Sequence, residues 1–373
     1  MNKKPLFTII LYVILICTPA AFCAAQNKIN KSQPADVDPA FHSLIFSSQV
    51  SYWIWADCTS GKRPENLPGF VYYPGYSGYY EPLSGVPLVY TDGILWGGKV
   101  YDNKKPELRV SGSVYFAGLQ PGIIQNGTSV NPAADRNIWT TLERYYTPNT
   151  INMMAQIIYN KSENEVNDHP ELTDPFLIKA YDSESWPWQY GAPFTDNIIK
   201  NNIFDPGETA GIKGSEMTVW TVSNDLDSAL CMQEFKCPST GMEIQQTAWI
   251  YNIGSYLLLH NIIFKRYRFI YKGTKDTPDS ARIDSMYITI FCDPDIGEYS
   301  NDCAGCDTSL NMMFAYNADP SEPVFDKFDI APMSIGYTLV QGPVVNTGNP
   351  SDRAMFCGRE ISGYKNLEIS AFN

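Results

Sequence analysis

The stretch FCDPDIGEYSNDCAGCDTSL, residues 291–310, places five carboxylates and three cysteines within twenty residues. An apolar run, SMYITIF, leads into it, so Asp293, Asp295, Glu298, Asp302 and Asp307 are expected in a loop at a strand end. Carboxylates this close repel one another unless a proton or a cation intervenes. Calcium takes six to eight oxygens from flexible loops of this kind, so these five residues are the candidate calcium ligands. The spacing is not that of an EF-hand: counting from Asp293, the sixth position is Glu298 and the twelfth Ala304. The competing reading is a solvated acidic turn whose Asp and Asn side chains cap backbone groups.

Cys303 and Cys306 form a CxxC, but there is no second pair to complete a zinc site, and His42, His169 and His260 are scattered. Disulfides are the favoured use. Cys231 and Cys237 could close a small loop, and Cys292 could join Cys303 or Cys306. Histidine catalysis has little material, and no GxSxG, HExxH or phosphate-loop pattern occurs. A glycosidase-like carboxylate pair needs no motif; Glu216, Asp225, Asp227 and Glu243 are the candidates for one. The aromatic-rich stretches WIWADC (53–58), GFVYYPGYSGYY (69–80) and SWPWQYGAPF (185–194) would offer sugar or protein platforms if exposed, and core packing if not.

The elements that must position these groups are mainly strands. With 24 Tyr, 18 Phe and 8 Trp among 26 Gly and 26 Pro, the composition suits pleated surfaces joined by turns. Short apolar runs follow one another without helical crossovers, which predicts a mainly β chain built as an antiparallel β-sandwich. DRNIWTTLERYY and ELTDPFLIKAYDSESW predict one or two short helices in an insertion around 135–188.

The N-terminus sets the compartment. Lys3 and Lys4 precede an apolar run and then small residues up to Ala25, the layout of a secretory signal peptide over 1–25. Residues 26–45 read as a flexible leader and 46–373 as the β-rich domain, with a possible subdivision near 190. Loss of the two lysines takes the formal charge from −13 to −15, which argues against nucleic-acid partners. Seven cysteines remain after 1–25 is removed, an odd number in an oxidising compartment. No transmembrane segment is expected in the mature chain.

Several landmarks occur in a fixed order: TDGILWGGKV (91–100), RVSG and LQPG (109–122), VSNDLD (222–227), EIQQTAWIYN (243–252), DSMYITIFCDPDIG (284–297), GCDTSLNMMFAYN (305–317) and GYKNL (363–367). Together they resemble the N-terminal region of large, uncharacterised secreted bacterial proteins that usually end in a type IX secretion sorting domain. The resemblance implies a secreted or cell-surface location and carries no established activity. Such relatives often carry an Asp/Asn-rich loop, resembling a calcium loop, where this chain has DNIIKNNIFDPGE (196–208); Ile198 and Lys200 stand here where oxygen ligands would be expected. The expected function is a non-catalytic surface protein for adhesion, assembly or ligand binding, stabilised by calcium, with carbohydrate or other surface proteins as partners. The alternative is a secreted carbohydrate-active hydrolase using paired carboxylates.

Overall fold

The computed structural model describes residues 7–16, 41–47, 49–63, 69–72, 85–142, 152, 155–156, 162–169, 185–251, 257–356 and 358–372. The expectation of a mainly β, antiparallel chain holds throughout them. Fifteen strands build the two large sheets. They are β1 (Phe7–Ile16), β2 (His42–Phe46), β3 (Val50–Trp55), β4 (Phe70–Tyr72), β5 (Val86–Tyr101), β6 (Glu107–Gly112), β7 (Gln120–Pro121), β8 (Ile138–Leu142), β9 (Met217–Asn224), β10 (Met242–Ile250), β11 (Ile262–Tyr271), β12 (Arg282–Pro294), β13 (Asp302–Asp307), β14 (Met312–Asn317) and β15 (Ser334–Gln341). The nine-stranded sheet runs β8-β9-β10-β11-β1-β15-β14-β13, with β7 pairing beside β8 on the edge of β9. The six-stranded sheet runs β12-β5-β4-β3-β2, with β6 also pairing with β5.

Burial explains why the central strands lack polar alternation. Every residue of β9 and β10 is buried, as in strands covered on both faces. In β9, Met217 and Val219 join a core shared with Tyr52, Ile54 and Val89 of the six-stranded sheet. Thr221 and Ser223, on the same face, donate to the Ala56 carbonyl at 3.1 and 2.7 Å. The opposite face carries Trp220 and Val222 into a separate cluster with Trp139 and Trp186. A second shared cluster sets Ile94 and Trp96 of β5 against Ile244, Tyr267 and Phe269. The two large sheets therefore share their core.

One local expectation changes. Within DRNIWTTLERYY, residues 138–142 form strand β8 rather than a helix; a β-branched and aromatic run fits the open edge of β9 better than a helical turn. One short helix, α1 (Glu163–Asp168), does lie in the 135–188 insertion, closed by a reciprocal Ser162–Glu165 capping box. The segment expected as a leader over 26–45 is already strand at His42; residues 26–40 lie outside the described residues. Strands before and after residue 190 pair in one sheet, β7 and β8 with β9.

The turn after β9 is held by Asp225. It is fully buried, and its two oxygens accept from Gly241 and Met242 N–H at 2.8 Å, from Thr240 N–H at 2.8 Å and from the Thr240 hydroxyl. Burial pushes its carboxyl pKa up, and those donors pull it back. Gly241 has φ +81, and a Cβ there would meet the Gly273 backbone at 2.3 Å, so only glycine delivers its N–H to Asp225. Asp225→Ala would strand three N–H groups and a hydroxyl in the core, costing about 3 kcal/mol or more. Urea unfolding measures this; a loss below about 1 kcal/mol would show that water reaches these donors.

Candidate functional site

The acidic corner forms where β12 ends. Asp293 registers with Thr91 of β5, and the chain stays on that strand's edge through Asp295 N–H to the Leu88 carbonyl (3.1 Å) and Gly297 N–H to the Pro87 carbonyl (3.0 Å). A short 3-10 turn, Tyr299–Asn301, then leads into β13, and Asp302 Oδ2 ties the turn by accepting from Ile296 N–H at 2.9 Å. Asp293, Asp295, Glu298 and Asp302 thus share one electrostatic neighbourhood. Asp307 does not. It sits five residues further along β13, about 17 Å away at ~3.4 Å per residue, where it caps Ser309 and Leu310 N–H at 2.9 and 3.2 Å.

A fifth carboxylate takes its place. Glu322 is fully buried and caps α3 (Pro323–Asp326) through Oε2, at 3.1 Å from Val324 N and 3.3 Å from Phe325 N. Gly297, at φ +73, admits it: a Cβ there would stand 2.3 Å from Glu322 Oε2. Burial, then Asp293, Asp302 and Glu298, push Asp295 up to about 7. Burial also pushes Asp302 up to about 6, against the Ile296 N–H and with Glu322 and Asp293. Asp302 Oδ1 and Glu322 Oε1 are buried with no hydrogen-bond partner. Among the described residues, no three His, Cys, Asp or Glu side chains are placed to close round a metal ion.

The bridges expected between Cys231 and Cys237, and between Cys292 and Cys303 or Cys306, are not present among the described residues. The six described cysteines are free thiols, with no pair at bonding distance; Cys357 lies outside the described residues. The CxxC lies on β13, where Cys303 and Cys306 are three residues apart and so point to opposite faces. Cys231, on helix α2 (Ser228–Glu234), is buried with its thiol 3.3 Å from the Asp225 carbonyl, whereas Cys237 is half-buried. Cys292 registers with Asp92 across the sheet and faces Tyr337 rather than another sulfur.

Near Cys292 lies a cluster that the sequence reading missed. Lys265 of β11 is fully buried and Asp92 of β5 nearly so, and they bridge the two sheets at 2.6 Å between Nζ and Oδ1. Lys265 also donates to Ser60 Oγ at 2.7 Å and to the Tyr52 hydroxyl, so its three protons are all used. Ser60 Oγ donates to Asp92 Oδ1 at 2.5 Å; Tyr52 and Tyr337 donate to Oδ2, the latter at 2.9 Å. Burial lowers the Lys265 pKa, opposed by Asp92, and raises those of Tyr52 and Tyr337. The available signal was one of phase: Lys265 alternates with Ile263, Tyr267 and Phe269, placing a cation on the core face of a strand.

The remaining candidates are built into the fold. Asp227 caps α2 at 2.9 Å from Ala229 N. Glu243 is buried, with Oε2 taken by Lys272 Nζ (2.5 Å) and Ile124 N (2.7 Å) and Oε1 by Gln245 Nε2 (3.0 Å). Glu216 is buried beside β9. In 196–208, Glu208 fills the loop centre by accepting from Asn197, Ile198 and Asp205 N–H at 3.0 to 3.1 Å. Trp53, Phe70 and Trp186 are core, and residues 73–80 lie outside the described residues. Exposed aromatics occur instead at Tyr115, Phe116, Tyr287, Tyr299 and Tyr316; Tyr115 packs 5.0 Å from Phe291, and burial and then Asp293 push its pKa up.

In the acidic corner, the folded chain binds protons more tightly than the unfolded chain, because Asp295 and Asp302 titrate above the ordinary 3.8. Their contribution to stability is therefore fully present at about pH 4 and is lost as the pH rises through about 6 to 7. The melting temperature should fall between about pH 5 and pH 8, and fall less in Asp295→Asn; parallel curves would show the corner to be uncrowded. Compared with known proteins, the chain matches no family profile, no curated protein and no solved structure.

Proposed function

We propose that this is an exported, non-catalytic surface protein that works in adhesion or assembly by taking an apolar β-strand into its larger sheet. One observation carries the proposal. Strand β1 lies in the middle of the nine-stranded sheet, registering with β11 from Phe7↔Phe269 to Ile14↔Ile262 and with β15 from Leu11↔Leu339 to Ile16↔Ser334. The same residues are the apolar core of the leader-like N-terminus. If export removes that leader, β11 and β15 are left with two facing, unpaired edges. Such edges recruit strands: main-chain bonds supply affinity and alternate side chains supply selectivity.

The rest of the molecule supports a binding role over a catalytic one. Asp225, Asp227 and Glu243 are engaged in caps, turns and ion pairs. No helix among the described residues is long and apolar enough to cross a membrane.

The test uses residues 26–373 and a peptide FTIILYVILI. The peptide should bind and raise the melting temperature, because a ligand for the folded state stabilises it; a scrambled peptide of equal composition should not. Equal effects from both peptides, or from neither, would reject strand uptake. Calcium enters the proposal as counter-charge for the corner formed by Asp293, Asp295, Asp302 and Glu322. A chelator should then lower the melting temperature at about pH 8 and leave Asp295→Asn unchanged; no change in the wild type would remove calcium from the account.

A further inference from the structure

We propose that Lys265 and Asp92 condense into an intramolecular amide, a covalent clasp between the two large sheets. Lys265 Nζ lies 2.6 Å from Asp92 Oδ1, and each side chain is at most 1% exposed. A buried ammonium and carboxylate carry a desolvation cost that pairing only partly offsets. Condensation replaces both charges with one neutral amide and releases a water. Reactants held in contact need no encounter, so a step that is negligible between free side chains gains a large effective concentration.

The surrounding hydroxyls fit each part of the step. Tyr52 accepts from Lys265 Nζ and donates to Asp92 Oδ2, so it bridges the two groups as a proton relay. Nζ passes one proton through Tyr52 to Oδ2, which makes a neutral amine and a neutral carboxylic acid. The freed lone pair on Nζ then forms the bond to Cγ. A second proton follows the same path, and the Cγ–Oδ2 bond breaks with its electron pair leaving on water. Oδ1 stays as the amide oxygen, still accepting from Ser60 Oγ at 2.5 Å, and the third proton stays on the amide nitrogen. Ser60 and Tyr337 are fixed donors to the carboxyl oxygens, placed where negative charge develops during the attack. No oxidant, metal or cofactor enters the balance. Tyr267, also buried against this group, and Phe269 help to keep the surroundings dry.

Mass spectrometry of the folded, full 373-residue chain tests this directly. The chain should be lighter than its sequence by one water, and digestion should give a branched peptide joining the segments that contain Asp92 and Lys265. Lys265→Arg should keep the full sequence mass, and Tyr52→Phe should lose its water more slowly after refolding. A wild-type chain at full sequence mass after prolonged folded incubation overturns the proposal, and that measurement needs no variant to fold. A water loss that persists in Lys265→Arg would place the condensation elsewhere and overturn it as well.

Discussion

Lys265 and Asp92 sit where two sheets meet, and neither is tolerable there without the other. An uncompensated charge in a dry core costs several kcal/mol, so the packing of β11 against β5 has one acceptable solution. Ser60 is drawn in by a bridge to Asp92 on both sides of its backbone, 2.8 and 3.1 Å. Tyr52 brings β3, and Tyr337 brings β15, to the same carboxylate. Elements from both sheets thus converge on one carboxyl group, which sets how the sheets face each other. A generic apolar core would leave that register free to slip.

Elsewhere the surplus of acidic residues is handled in two ways. Asp225, Glu208 and Glu243 are saturated by backbone N–H groups or by a lysine, which lets a carboxylate act as a scaffold for turns that have no regular ladder. The corner at the end of β12 is the opposite case. Asp293, Asp295, Asp302 and Glu322 share too few donors, and two of their oxygens are buried without any. The difference is one of donor supply: a turn presents several N–H groups to one carboxylate, whereas a strand end presents few to several. Excess charge therefore gathers where the ladder runs out.

Strands and the acidic corner were legible because both are local. Apolar runs bounded by Gly and Pro mark strands without knowledge of their partners, and four of the five expected carboxylates do lie together. What could not be read depends on chain closure. Glu322 enters the corner from 20 residues beyond Asp302, and Asp92 meets Lys265 across a sequence gap of 173. Cys303 and Cys306 lie on a strand rather than a loop, so their three-residue spacing puts the thiols on opposite faces, which the sequence did not show. Residues 138–142 show the same override, since charges at helical spacing lost to an available sheet edge.

The N-terminal decapeptide connects these themes. FTIILYVILI, expected from its sequence to be an export leader, also has the β-branched content that a central strand needs. Its register places Leu11 opposite Lys265 on one side and Leu339 on the other. Whatever strand occupies that slot therefore registers directly beside Lys265. An empty slot would admit water beside Lys265 and raise the dielectric around its charge. A filled slot excludes it. The proposed strand uptake and the proposed clasp both meet at Lys265, which lies in the strand beside β1.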